Sequence, residues 1–137
     1  MRVACLLFLA LGLSASPGSV TTFELVIDSG TADLAAWQVE LSFDAESARI
    51  LRIDSAVGFP TDIPLAFDHA GLSGGRLTLL AISTSTALPT GITSVARVQI
   101  FHRGDPQLSV RPIAAANSAA QRIPITLALT PHPELTP

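Results

Sequence analysis

Residues 34–44 read LAAWQVELSFD, and their side chains alternate between apolar and polar. In an extended strand, successive side chains point to opposite sides, so Trp37, Val39, Leu41 and Phe43 share one face. Gln38, Glu40, Ser42 and Asp44 share the other. A helix would scatter the same residues around its circumference. The strand therefore has one face to bury and one to show, and burying it requires a second layer of structure. Trp37 is the single tryptophan of the chain, and the alternation assigns it to the buried ridge.

The same period recurs along the chain. Phe23, Leu25 and Ile27 share a face within 20–28. Leu51, Ile53 and Ser55 oppose Arg52 and Asp54 within 48–57. Ala96, Val98 and Ile100 oppose Arg97 and Gln99 within 94–102. Ile123, Ile125, Leu127 and Leu129 alternate with Pro124, Thr126, Ala128 and Thr130 from 122 onward. Further strands are predicted over 65–69 and 108–113. The stretch 76–83 contains LTLLAI and alternates poorly, which predicts burial on both sides or a central place in its sheet. Glycine-rich or acidic turns separate the runs at 28–33, 70–75 and 104–106. Short strands with turn signals about every 8–12 residues predict an all-β fold, an eight- or nine-stranded antiparallel β-sandwich of jelly-roll type.

The first residues have another character. Met1-Arg2 is a short positive start, 3–13 is almost unbroken apolar sequence, and small residues with Pro17 and Gly18 follow. This is the order of a secretory signal peptide, and about eleven apolar residues fall short of the roughly 20 needed to span a bilayer. The predicted organisation is a signal peptide at 1–18, a sandwich domain at 19–130 and a proline-rich tail at 131–137. Cys5, the only cysteine, lies inside the signal segment. The remaining chain then has no thiol for disulfides, catalysis or metal binding. Every basic residue is an arginine. Without Arg2, seven arginines face eleven acids with no run of like charge, which gives nucleic acid and anionic membrane nothing to grip. The expected location is secreted, extracellular or periplasmic, with no stable membrane insertion after cleavage.

At the level of whole strands the chain resembles the cohesin family. Residues 37–44, WQVELSFD, resemble the aromatic-led second strand of that family. Ile50-Leu51-Arg52-Ile53 resembles the next one. Residues 75–81, GRLTLLA, resemble a later strand entered from a glycine turn, and Gly91 with 95–100, VARVQI, resembles another. The resemblance implies a nine-stranded jelly-roll sandwich, akin to some carbohydrate-binding modules, in which one sheet face binds a dockerin partner. It carries over no individual binding residue.

Candidate site residues follow from exposure and chemistry. Gln38 and Glu40 stand on the polar face of the 34–44 strand. Phe59, between Gly58 and Pro60, is expected to be an exposed loop aromatic. Phe101 points opposite Val98 and Ile100 and is expected to form a small outer apolar patch with Val95. Asp68-His69 has the composition of an orienting pair, but capping of a turn is the commoner use. Asp28 and Asp33 flank a glycine turn without the ligand spacing of a calcium hand. No GxSxG, HExxH or phosphate-loop motif occurs. The expected function is a non-catalytic secreted binding module for extracellular protein interaction or assembly, with a dockerin-like partner, no catalytic residue, no metal and no cofactor. The alternative is a weak carbohydrate-binding module recognising polysaccharide.

Overall fold

The computed structural model describes residues 17–132. The predicted signal peptide, apart from Pro17 and Gly18, and the tail beyond His132 lie outside the described residues. Eight strands are present: β1 (Ser19–Asp28), β2 (Ala36–Ser42), β3 (Ala48–Ser55), β4 (Ala66–Phe67), β5 (Arg76–Ile82), β6 (Ile92–His102), β7 (Ser109–Ala116) and β8 (Thr126–Pro131). They form two four-stranded sheets. The first has the order β3-β6-β1-β8 and the second β4-β5-β2-β7, and every ladder within them is antiparallel. This is the expected all-β sandwich. Among the described residues, no helix is long and apolar enough to cross a membrane.

The core lies between the sheets, where the period-two pattern places it. Trp37, Val39 and Leu41 of β2 are fully buried, as are Leu25 and Ile27 of β1 and Val98 and Ile100 of β6. Leu77 and Leu79 of β5 complete the wall beside β2. The segment entering β2 is held before the strand begins: the Leu34 N–H donates to Pro89 O, and the Ala35 N–H to Ala116 O.

Three expectations change. Phe59 is 3 % exposed, not an open loop aromatic. It turns inward and meets Trp37 edge-on, with ring centroids 6.3 Å apart and planes at 73°. Gly58 makes this approach practicable, because a Cβ there would lie 2.7 Å from Ser94 O on β6. Val95 is also buried. A bulge between Leu25 and Val26 of β1 pairs them with Ala96 and Ser94 and skips Val95, so the alternation on β6 changes phase there and Val95 cannot join Phe101 outside. A second bulge, between Ile50 and Arg52, expels Leu51, which is 43 % exposed. β5 takes a central place in its sheet, one of the two alternatives predicted for it, and is not buried on both faces. It lies between β4 and β2, with Leu77, Leu79 and Ala81 inside and Leu80 and Ile82 outside at 37 % and 45 % exposure.

The boundaries also move. The run 122–129 begins as a single bridge, Ala116 to Arg122, and regular pairing starts at Thr126. Pro131 ends β8 opposite Phe23, and the His132 N–H donates to Thr22 O at 2.7 Å. The strand predicted over 65–69 shrinks to the two residues of β4, which lead into a 3-10 turn at His69–Leu72.

The Trp37 indole N–H is buried with no hydrogen-bond partner. Trp37→Ala should cost about 3–5 kcal/mol. Trp37→Phe, which keeps a ring and sheds the unpaired donor, should cost less. Gly58→Ala should cost about 1–3 kcal/mol by pushing the 56–59 loop off β6. Urea titration of the three variants measures all these values.

Candidate docking face

The outer face of the second sheet is set by register. In an antiparallel sheet, directly opposed residues share a face. Ile82, Ala36 and Ala116 form one row across β5, β2 and β7. Ala66, Leu80, Gln38 and Ala114 form the next, and Thr78, Glu40 and Arg111 a third. The face therefore grades from an apolar end, built of Ile82, Leu80 and alanines, to a charged end.

At the apolar end the small alanines leave a shallow hollow of about 310 Å³ with Gln38, Leu80 and Ile82 in its lining. Its far rim is the turn at 117–121. Asn117 Oδ1 accepts from the N–H groups of Ala119 and Gln121 at 3.1 and 2.9 Å. Arg122 Nη2 donates to Ile113 O at 3.0 Å, which ties the end of this rim to β7. The rim is also joined to the β1–β2 loop, where Asp33 Oδ1 accepts the Ser118 N–H at 3.4 Å.

At the charged end, the Glu40 side chain is only 17 % exposed and sits between two arginines. Arg111 Nη2 is 3.2 Å from Oε1 and Arg76 Nε 3.8 Å from the same oxygen. The arginines themselves are well exposed, so the pairs add little to stability. Their consequence is positional: Glu40 is held in place, while both guanidiniums retain donors for an incoming group.

The candidate residues thus separate. Gln38 and Glu40 lie together on this face, while Phe101 lies across the molecule on the outer face of the first sheet, between Arg49 and Val20 in register. Phe59 is in the core and cannot touch a ligand. Sequence reasoning missed Leu80, Ile82, Ala114 and Ala116, since only strand pairing brings them beside Gln38.

The remaining polar candidates are engaged in local structure. Asp68 Oδ1 accepts the Ala70 N–H at 3.0 Å and caps the 3-10 turn, while the His69 ring stacks beside Phe67 at 5.0 Å. Asp28 Oδ1 accepts the Gly30 N–H, so Asp28 and Asp33 serve separate turns. Among the described residues, no group of three or more histidines, cysteines or acids converges as a metal would need. His132 Nδ1 lies 3.1 Å from Glu24 Oε1, which also receives Arg97 Nε at 3.3 Å.

No family model matches the sequence, and no curated protein matches it. The shape does have counterparts. The chain superposes on CaCohA2, a protein of Clostridium acetobutylicum, as it stands in complex with a variant of CaDoc0917, with a TM-score of 0.66 at 11 % identity. The match covers 80 % of this chain and 85 % of that one. The fold is cohesin-like. The seventh ScaB type I cohesin of Pseudobacteroides cellulosolvens gives a TM-score of 0.61 at 9 % identity, over 90 % of this chain and 88 % of that one. A type I cohesin–dockerin complex of Clostridium thermocellum, Coh-OlpC–Doc435, gives 0.62 at 11 %, over 80 % of each chain. A cohesin-like sandwich thus persists here with little sequence in common, as expected when alternation rather than particular residues specifies the layers.

Hydrogen bonding from Ser118, through its side chain first, holds the Asp33 carboxyl below its ordinary value of 3.8. A carboxyl lowered in the folded state stabilises the fold above its unfolded value, and that contribution is lost as pH falls through the folded one. Asp33→Asn should therefore remove part of the acid-side decline below about pH 4 and leave the neutral curve unchanged in slope. Urea titrations at a series of pH values test this.

Proposed function

We propose that this chain is a non-catalytic, secreted binding module that docks a protein partner of the dockerin type on the outer face of its second sheet. The observation that carries this reading is the placement of Leu80 and Ile82. Two large apolar side chains stand exposed on a regular sheet face, beside Gln38 and the Glu40–Arg76–Arg111 cluster. Water-exposed apolar side chains gathered on one face, with a polar border, make a surface suited to a partner. Hydrogen-bonded strands on both sides of β2 hold that surface rigid, so little ordering is required on binding.

The cohesin-like fold supports the same reading, since two of its counterparts were solved as type I cohesin–dockerin complexes. The sugar-stacking alternative loses its platform: Trp37 and Phe59 are both in the core, and neither offers a ring face to a saccharide. Export would place the module where extracellular partners are met. N-terminal sequencing of the protein from the medium or periplasm should show a start after Ala15 or Gly18.

The decisive experiment is calorimetric titration with a panel of dockerin modules. One or more should bind. Leu80→Asp and Ile82→Asp should each weaken binding by about 2 kcal/mol or more if they are central contacts, while Leu51→Asp on the other sheet should have no effect. Binding that survives both substitutions, or none across the panel, overturns the reading.

A further inference from the structure

The docking face and the chain as a whole carry opposite signs. The sequence has eleven acids against eight arginines, a net charge of -3. The rows across β5, β2 and β7 hold one carboxylate, Glu40, and two arginines, Arg76 and Arg111. Glu40 Oε1 is 3.2 Å from Arg111 and 3.8 Å from Arg76, so its charge is already answered. Arg122 adds a third cation at the rim. It faces Ala116 across an isolated bridge and so stands level with the Ile82–Ala36–Ala116 row. Among the described residues, no carboxylate lies within salt-bridge distance of Arg122. The bond from its Nη2 to Ile113 O holds the guanidinium in place and leaves its other donors to an incoming group.

The cations stand at two levels. Arg122 is level with Ala36, and Arg111 is opposite Glu40. Ala36 and Glu40 are four residues apart on β2, which separates the levels by about 13 Å. Between them opens the hollow of about 310 Å³, whose lining is apolar apart from Gln38 and Arg122. Its size suits one large apolar side chain. Its wall is fixed before any partner arrives. Ala120, in the lining, has a φ of 59°, a left-handed conformation that glycine adopts more easily. The bonds from Asn117 Oδ1 to the N–H groups on either side of it hold it there.

A segment laid on this face cannot pair its backbone with the central strands, since β2 and β5 are bonded on both sides. It must satisfy its own N–H and C=O groups, as a helix does. Resting on the docking reading above, we propose that the partner presents a helix with one large apolar side chain at i and carboxylates at i−4 and i+4. The apolar side chain fills the alanine hollow, one carboxylate meets Arg122 and the other meets Arg111 with Arg76 beside it. Eight helical residues rise about 12 Å, which matches the spacing of the two levels. All three side chains lie on one helix face. Fork-shaped guanidiniums suit carboxylate oxygens, and a basic helix would be repelled from the same surface.

The test uses alanine-based helical peptides titrated into the exported protein. One carries leucine at i with glutamates at i−4 and i+4, a second has lysines in place of the glutamates, and a third has alanine in place of the leucine. The first should bind, and the other two should bind at least about tenfold more weakly. Arg111→Glu and Arg122→Glu should each weaken the glutamate peptide about tenfold or more and strengthen the lysine peptide. A merely structural role for either arginine would not produce that reversal. Arg52→Glu, on the other sheet, should change neither. Thermal unfolding midpoints confirm that each variant is folded. No binding of the glutamate peptide at millimolar concentration overturns the proposal, as does equal binding of the glutamate and lysine peptides. The docking face is judged separately. A dockerin that binds the parent and is lost on Leu80→Asp, but is indifferent to Arg111→Glu and Arg122→Glu, keeps the face and overturns the acidic helix. Binding that survives Leu80→Asp and Ile82→Asp removes both.

Discussion

The contact between Trp37 and Phe59 joins the two halves of the sandwich. Trp37 belongs to β2 in the second sheet, and Phe59 to the loop that leaves β3 in the first. The edge-on meeting of the rings therefore spans the layers, and the same loop is tied to the end of β5 by Thr61 Oγ1, which donates to Ile82 O at 2.7 Å. It also fixes which side of β2 is inside. Once Trp37, Val39 and Leu41 are committed to the core, Gln38 and Glu40 must face outward. The outer rows of β5 and β7 then take their places by hydrogen-bond register. The docking face is thus a consequence of core packing on its reverse side.

Regular alternation makes much of this legible in the sequence. On β1, β2 and most of β6, inward and outward residues separate by eye because one side chain in two is apolar. Legibility fails where the ladder is irregular. The extra residue at Leu51 and the skipped residue at Val95 each reverse the phase of a strand, and a bulge leaves no mark in composition. Phe59 escapes the pattern for a different reason. Glycine and proline beside it speak for an open loop, whereas the glycine is there to let the loop lie against Ser94.

The sites divide in the same way. Gln38 and Glu40 are visible because they lie on one strand. Leu80, Ile82 and the alanines of β7 are not, since their association with Gln38 exists only through pairing between strands distant in sequence. Leu80 and Ile82 are ambiguous in a further respect: an apolar run that alternates poorly fits a doubly buried strand or a central one, and β5 is central with its outward half left in water. Phe101 is recognisable as outward-facing, but Arg49 and Arg103, whose guanidiniums lie 5.4 and 6.0 Å from its ring centre, come from β3 and from the turn after β6. Convergence of that kind has no signature in a linear pattern.

The closing of the first sheet has a mechanical consequence. β1 opens the sandwich and β8 ends it, and they are antiparallel neighbours with Pro131 opposite Phe23. The two ends of the described chain consequently leave from the same end of the molecule. Tension applied through both would load the β1–β8 ladder one hydrogen-bonded pair at a time, in the manner of a zipper, instead of sharing the force among all pairs. The pair formed by His132 and Thr22, with Glu24 beside it, sits where such opening would begin. A module tethered at both ends would yield there first, with the face carrying Leu80 and Ile82 on the sheet that bears none of that load.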